Sequence, residues 1–520
     1  MSGRFVVGRS QSSDVSVDCD VCIVGSGAGG AVAAAILAQA GLSVVVLEAG
    51  GWNRRDRFTM QEQDTYPLLY QESMRRATAD QAISILQGRT VGGGTVVNWT
   101  TTFRTPSHVL EHWRKRFGLT EYTDAELKPH FDAIEGRLGV SDVPEDQINA
   151  NNRRLWEGTG ALGWERSLLR RNVRGCRQSG YCGMGCAFDA KQSALLTFLD
   201  DAVGAGALVV SDCHAHRLTY AGDRIVEVHG VFQNPERGEV PTGLRATVRP
   251  KLCIVSGGAI NSPALLLRSG LPDPHHMLGR RTFLHPVVAT IGQFRDTIAP
   301  YHGVPQTVSS HHFARRDGDM GFFLEVAPLH PVLFAGALTA HGAAHREAME
   351  ALPRTAIVLS LLIDGFDECE AGGTVSLWPD DRPRLDYLFT PRLWSGVRAA
   401  MEAGARVMLA AGAMRVMTAH EPPLEIVSEA ELPRLDEQVY APNRVRLFSA
   451  HQMGGCIMGA DPTASVVDAS LRHHQIRNLH VMDGSVLPTS LGVNPQGTIY
   501  GIAHRAATQL AIRANAGKMD

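Results

Sequence analysis

The segment Gly25-Ser26-Gly27-Ala28-Gly29-Gly30 constrains this chain more than any other. It fits the pattern G-x-G-x-x-G, follows a short apolar run at residues 20–24 and precedes an alanine-rich stretch at residues 31–40. Gly41 is placed to end a helix, and residues 43–47 form a second β-branched run closed by Glu48. Strand, glycine turn, helix and second strand make a β-α-β unit, which implies a parallel sheet. In that order Gly25 permits the tight turn, Gly27 lets backbone approach a pyrophosphate, and Gly30 allows the helix to pack against the sheet. The helix N-terminus offers unpaired N–H groups and partial positive charge to the phosphates. Glu48 stands at the spacing where an acid accepts hydrogen bonds from a ribose. A lone glycine motif is weak evidence, but with strand, helix, second strand and acid in order it marks a dinucleotide site. NAD and FAD fit it equally.

Composition sets wider bounds. The 520 residues suffice for one large domain or two intimately joined ones. Glycine is abundant, at 53 residues, as tight turns or close backbone approach to a ligand require. A net charge of −3 points to neither nucleic acid nor an anionic membrane as partner. No apolar run reaches the roughly 18–20 residues that span a bilayer, so no integral membrane segment is expected. Residues 356–363 read instead as a buried strand. The opening residues lack the apolar core of a signal peptide, and a cytoplasmic location is expected. Nine cysteines, an odd number without an export signal, argue against a disulfide framework. Cys19, Cys22, Cys213, Cys253, Cys369 and Cys456 are scattered and read as small buried hydrophobes.

Further along, residues 373–377 and 384–388 alternate like strands of a half-exposed sheet, and residues 394–411 read as an amphipathic helix. Residues 479–482 return to an apolar strand and residues 498–513 to a final helix. This order predicts the α/β class, a Rossmann-like nucleotide domain with an inserted α+β domain built on an antiparallel sheet. The expected division is 18–120, 205–290 and 445–520 for the nucleotide domain, 121–204 for a connecting region, and 291–444 for a substrate domain.

A second glycine-rich segment, Gly88-Arg89-Thr90-Val91-Gly92-Gly93-Gly94-Thr95-Val96-Val97-Asn98-Trp99, resembles a signature of the glucose–methanol–choline (GMC) oxidoreductases, a family of FAD enzymes. Gly257-Gly258-Ala259-Ile260-Asn261-Ser262-Pro263 is similar to the second family signature. Met482-Asp483-Gly484 through Ser490, with Asn494-Pro495-Gln496-Gly497-Thr498, is similar to its closing segment. These blocks run in family order from near residue 20 to near residue 510, with a looser match between about 290 and 440. The resemblance implies that Arg89, Gly92, Gly93, Gly94, Asn98, Trp99 and Ala215 join Gly25, Gly27, Ala28, Gly30 and Glu48 at FAD. It also places Asp483 and Gly484 at the phosphate and ribitol. Asn494, Pro495 and Thr498 then open a helix aimed at the pyrimidine side of the ring, where a reduced flavin carries negative charge. Some relatives attach FAD through a histidine near the first signature. Residues 96–100 contain none, so noncovalent FAD is expected.

The implied reaction is oxidation of a CH–OH group to an aldehyde or ketone by hydride transfer to flavin N5, with oxygen or an external electron carrier as acceptor. Such chemistry needs a base at the carbinol oxygen and a donor to orient it. His451 falls where the family carries its active-site histidine, and Asn494 where it carries the partner. Imidazole titrates near neutrality, and the amide donates hydrogen bonds. A lone histidine among 21 is ordinarily structural, and His285, His504, His214 and His216 keep that reading. Cys176, Cys182 and Cys186, spaced C-x5-C-x3-C among glycines, resemble a cysteine-bearing insertion of long-chain alcohol oxidase-like members. Three thiolates suit a [3Fe–4S] cluster; a zinc site, a redox disulfide and inert packing are the alternatives. Residues 321–324 and 331–334 fit either core packing or a pocket for an apolar, long-chain alcohol. A flavin lyase or light-driven decarboxylase on the same fold stands as a rival reading, and so does a non-catalytic electron-transfer flavoprotein.

Overall fold

The computed structural model describes residues 4–234, 240–316, 318–338, 340–367 and 370–518. Cys369 lies outside them.

The first sheet is built around the strand Val15–Val24. Its outer half alternates, with Val15, Val17 and Cys19 turned inward, while Val21, Cys22, Ile23 and Val24 are all buried. Both faces are covered there, one of them by the helix Ala28–Gln39, so the apolar run needs no alternation. This strand pairs in parallel with Val44–Leu47 on one side and Val240–Val255 on the other. Leu208–Ser211 and then Arg4–Val7 extend one edge, again in parallel. The 16-residue strand Val240–Val255 divides its second edge. Its outer part pairs with the antiparallel meander of Arg224–Asn234 and Cys213–Ala221, and its inner end pairs in parallel with Leu479–Val481. The helix Ala28–Gln39 follows the glycine turn and packs against the long C-terminal helix Gln496–Asn515. Gly41, at φ 87°, ends it as expected.

The second sheet is antiparallel through its centre. Val287–Gln293 pairs with Thr355–Leu362, which pairs in turn with Phe322–Glu325. Arg415–Met417 and Glu425–Ile426 complete one side. Leu447–Ser449 and Ile83–Ile85 add at the other end. These last two strands come from the expected segments 18–120 and 445–520. Segments assigned to the nucleotide domain pair in the second sheet, because an exposed backbone edge is satisfied by whichever strand lies beside it.

Thr355–Leu362 is buried throughout, and its two faces separate by alternation. Ala356, Val358 and Leu362 pack under the helix Pro391–Ala410 with Phe322 and Leu324. Ile357, Leu359 and Leu361 share the opposite face with Phe323 and Val287. Residues 321–324 and Phe334 therefore serve packing. Phe322, Phe323 and Phe334 are fully buried, while Val332 is exposed. Among the described residues, no helix is long and apolar enough to cross a membrane.

Helix and sheet meet without room for side chains at the turn. A Cβ on Gly30 would stand 2.0 Å from the carbonyl oxygen of Gly25, and one on Gly29 would stand 1.7 Å from that of Met482. Gly30→Ala is expected to lower stability by about 1–3 kcal/mol through overpacking. Urea unfolding followed by circular dichroism tests this, and an unchanged midpoint would refute the close approach.

Candidate active site

Both sheets line one cavity of about 590 Å³. Val24, the glycine turn and Glu48 contribute from the first sheet; Val287, Glu325, Leu359, Leu361 and Phe448 contribute from the second. The turn is held from within. Glu48 accepts hydrogen bonds from Ser26 N (2.9 Å), Ser26 Oγ (2.7 Å) and Gly50 N (2.7 Å). Burial pushes its carboxyl up, and these donors oppose that rise. Asp483 plays the same part at the C-terminal signature. It accepts from Gly258 N (2.8 Å), Ser262 Oγ (2.5 Å) and Ser485 N (2.8 Å), so both of its oxygens are engaged.

The cavity suits an extended dinucleotide. A Cβ on Gly27 or on Gly94 would meet nothing within 4 Å, so both backbones are open toward it. Gly25, Ala28, Arg89, Gly93 and Ala215 also line it. Asn98, Trp99, Gly484 and Pro495 do so as well. The helix Gln496–Asn515 begins at the wall, where Gln496 accepts a hydrogen bond from Asn98 Nδ2 (2.7 Å) and donates one to Thr101 O (2.7 Å).

Three expected cofactor residues do not line the cavity. Gly30 is spent on helix–strand packing. Gly92, at φ 94°, turns its N–H onto Ser26 Oγ (2.9 Å) and braces the turn from behind. Thr498 is fully buried against Thr105, their hydroxyls 2.9 Å apart. Membership of a motif marks a constrained backbone, and constraint and contact are separate properties.

The cysteine loop packs behind the Val96–Thr100 part of this wall. Lys191 is buried, and its ammonium donates to Val96 O (2.6 Å), Asn98 O (2.7 Å) and Cys182 O (2.6 Å). Burial brings its pKa down to about 8. Tyr70 donates to Gly183 O (2.6 Å), and Arg171 bonds both Thr100 Oγ1 (2.7 Å) and Cys182 Sγ (3.7 Å). Cys176, Cys182 and Cys186 border one small void and carry free thiols. The expected iron–sulfur ligation is not supported. Among the described residues, no group of three His, Cys, Asp or Glu is arranged to hold a metal ion. The glycines of this loop let it buttress the wall.

His451 and Asn494 lie with Nε2 and Nδ2 3.4 Å apart, and both line the cavity. Burial lowers His451 to about 4, so its ring is neutral near pH 7. Two residues that the sequence reading passed over complete the group. His285, taken as structural, stands with its Nδ1 3.2 Å from His451 Nδ1. Its Nε2 accepts the backbone N–H groups of Leu491 (3.2 Å) and Gly492 (3.0 Å). Its φ of 42° is rare for a side-chain-bearing residue. Buried Asp364 holds it there by accepting from Leu284 N (3.0 Å) and His285 N (3.1 Å). Glu325 is the second. It lines the cavity, and its Oε2 accepts from Gln306 Nε2 (3.0 Å) and Asn494 Nδ2 (3.2 Å). His214 also lines the cavity, beside Ala215, whereas His216 and His504 do not.

Fold and cavity together define the class: an α/β dinucleotide enzyme whose second sheet closes a reaction chamber against the cofactor site. A family model described as GMC oxidoreductase matches residues 24–287, and a second with the same description matches residues 370–503. An uncharacterized GMC-type oxidoreductase of Mycobacterium tuberculosis is 32% identical over 499 residues, which cover 94% of this chain and 75% of that protein. A long-chain-alcohol oxidase of Arabidopsis thaliana is 30% identical over 528 residues, covering 97% and 69%. Among solved structures, pyridoxine 4-oxidase from Mesorbium loti shares the fold at a TM-score of 0.70 and 20% identity, over 94% of this chain and 99% of that one. This chain belongs to the GMC oxidoreductase family and is an FAD-dependent oxidoreductase.

Removing the Lys191 ammonium strands three buried carbonyls. Lys191→Met is expected to cost about 3 kcal/mol or more and to reduce bound FAD after gel filtration. Chelator treatment is expected to leave the visible spectrum unchanged. A variant that keeps wild-type stability and FAD content would refute the buttress.

Proposed function

We propose that this protein oxidises the CH–OH group of an apolar, long-chain alcohol to the aldehyde or ketone, with FAD bound noncovalently. Oxygen or an external electron carrier then reoxidises the cofactor. The observation that carries the reading is the pairing of His451 Nε2 with the Asn494 amide in the wall of the dinucleotide cavity. Two polar groups converge there on one point, where the oxygen of an alcohol accepts or donates hydrogen bonds. Bound FAD supplies the hydride acceptor.

The chain's own residues bind and orient the alcohol. Val287, Leu359, Leu361 and Phe448 give the chamber an apolar wall next to this polar point, which suits a hydrocarbon chain better than a sugar. Neutral imidazole and amide position the carbinol oxygen, and the second sheet keeps water from it. The names of the Arabidopsis relatives, long-chain-alcohol oxidases, support the same substrate class. Residues 96–100 offer no histidine for a covalent flavin link.

Anaerobic protein mixed with straight-chain alcohols of increasing length is expected to lose its flavin absorbance, faster for longer chains. His451→Ala and Asn494→Ala are each expected to slow that bleaching about 10²–10³-fold while retaining FAD. Bound flavin that no alcohol bleaches would refute the reading.

A further inference from the structure

A smaller opening lies at the end of the first sheet's helices that is remote from the cofactor cavity. The helix Ala28–Gln39 starts at that cavity with Ala28 and reaches the opening with Leu37, about 14 Å further along its axis. The helix Gln496–Asn515 makes the same passage, from Gln496 to Leu510 and Arg513. Among the described residues, none lines both spaces. The void holds about 20 Å³, room for one oxygen-sized group.

The buried part of its lining is His480 with Leu37, Leu252 and Leu510. His480 sits in the strand Leu479–Val481 and is 2% exposed, yet neither Nδ1 nor Nε2 has a hydrogen-bond partner. A neutral imidazole has one N–H to donate and one lone pair to fill, and leaving both unmet among leucines is costly. Burial, with Arg513 and Arg472 adding to it and Asp468 opposing, brings the ring down to about 3, so it is neutral near pH 7. The outer part of the lining is cationic throughout: Arg472, Arg477, Arg513 and Lys518. Arg472 pairs with Asp468 at 3.3 Å and Arg477 with Asp223 at 3.2 Å. Among the described residues, Arg513 and Lys518 have no carboxylate partner. Cations near a helix C-terminus offset its negative end, but that end carries only about half a charge. More than one positive charge is left over, and it surrounds a void whose histidine has two empty nitrogens.

We propose that this opening binds a phosphate group, with one phosphate oxygen on His480 and the others among Arg513, Lys518 and the two paired arginines. A water molecule would satisfy the ring but leave the two unpaired cations without a counter-charge. A tetrahedral oxyanion does both: one oxygen enters the narrow buried end, and three point outward to guanidinium and ammonium donors. Neutral His480 donates its N–H to the inner oxygen. The void admits one oxygen and nothing wider, so the rest of the ligand stays at the rim. Inorganic phosphate and the phosphomonoester headgroup of a lipid present this same chemistry. The site is separate from the alcohol chamber and does not depend on that reading.

The test titrates the FAD-loaded protein, whose own pyrophosphate site is filled, with inorganic phosphate against chloride at matched ionic strength. Calorimetry reads the binding, and NMR of histidine-labelled protein reads the ring. Phosphate is expected to bind and to move the His480 resonance, identified as the one missing from His480→Leu. Replacing both surface cations, Arg513→Gln with Lys518→Gln, is expected to weaken binding about tenfold or more. His480→Leu, which matches its leucine neighbours, is expected to keep the circular dichroism spectrum and to weaken binding to a similar extent. Vesicles of phosphatidylcholine, with and without phosphatidic acid, separate the two sources. Sedimentation of wild type with phosphatidic acid alone, lost in the double variant, marks a lipid headgroup; phosphate binding without sedimentation marks a free phosphate. Wild type that binds no phosphate, a His480 resonance that chloride moves equally, or variants that bind as wild type does would each overturn the site.

Discussion

Everything in this structure depends on how two buried carboxylates, Glu48 and Asp483, are held. Taking such a group out of water is costly unless hydrogen bonds replace the hydration. Here backbone N–H groups and serine hydroxyls do so, and the bonds from Ser26, Gly258 and Ser262 tie together distant parts of the chain. Glu48 joins the second strand to the glycine turn. Ser26 of that turn receives Gly92 from the next signature. Asp483 joins the C-terminal segment to Gly258 and Ser262. The cavity wall is the sum of these ties, and so the family's signature segments, far apart in sequence, surround one space.

The second sheet closes that space by simple alternation. One face of Thr355–Leu362 is used up by the helix Pro391–Ala410, which leaves the other to the chamber. The same period of two puts Glu325 among aliphatic side chains. An acid on the packed face would have cost the fold several kcal/mol; on the chamber face it costs less, because Gln306 and Asn494 reach it.

How much of this was legible in the sequence differs by residue. The turn at Gly25 to Gly30 could be read directly, since a glycine pattern, helix periodicity and a β-branched strand all agree there. The strands at 373–377 and 384–388 and the helix at 394–411 were visible from alternation and amphipathicity, and the structure has them at Gly373–Leu377, Pro383–Tyr387 and Pro391–Ala410. His451 and Asn494 were reached only through the family resemblance. His285 was not, because it stands outside the quoted signatures and its importance comes from a backbone conformation that Asp364 imposes from elsewhere in the chain. Glu325 left a faint mark: an acid at the end of Phe-Phe-Leu, a run too apolar for a surface strand. The cysteines show the opposite failure. Their spacing gives proximity, but ligand geometry depends on where Lys191 and Arg171 pull the loop. The pairing of Ile83–Ile85 was not legible, because a partner hundreds of residues away leaves no local trace.

The inner end of Val240–Val255 has one further consequence, for the order of events during synthesis. Its neighbour in the sheet is Leu479–Val481, and the helix that covers the first β-α-β unit is Gln496–Asn515. A nascent chain that has delivered the glycine turn, and even the whole second sheet's central strands, still lacks a flank of the first sheet and one wall of the chamber. Such non-local pairing is slow to close, and until then the turn faces solvent with its amides unprotected. Closure of the cofactor site accordingly waits on Leu479–Val481 and Gln496–Asn515, the segments that complete the first sheet's edge and cover its first helix.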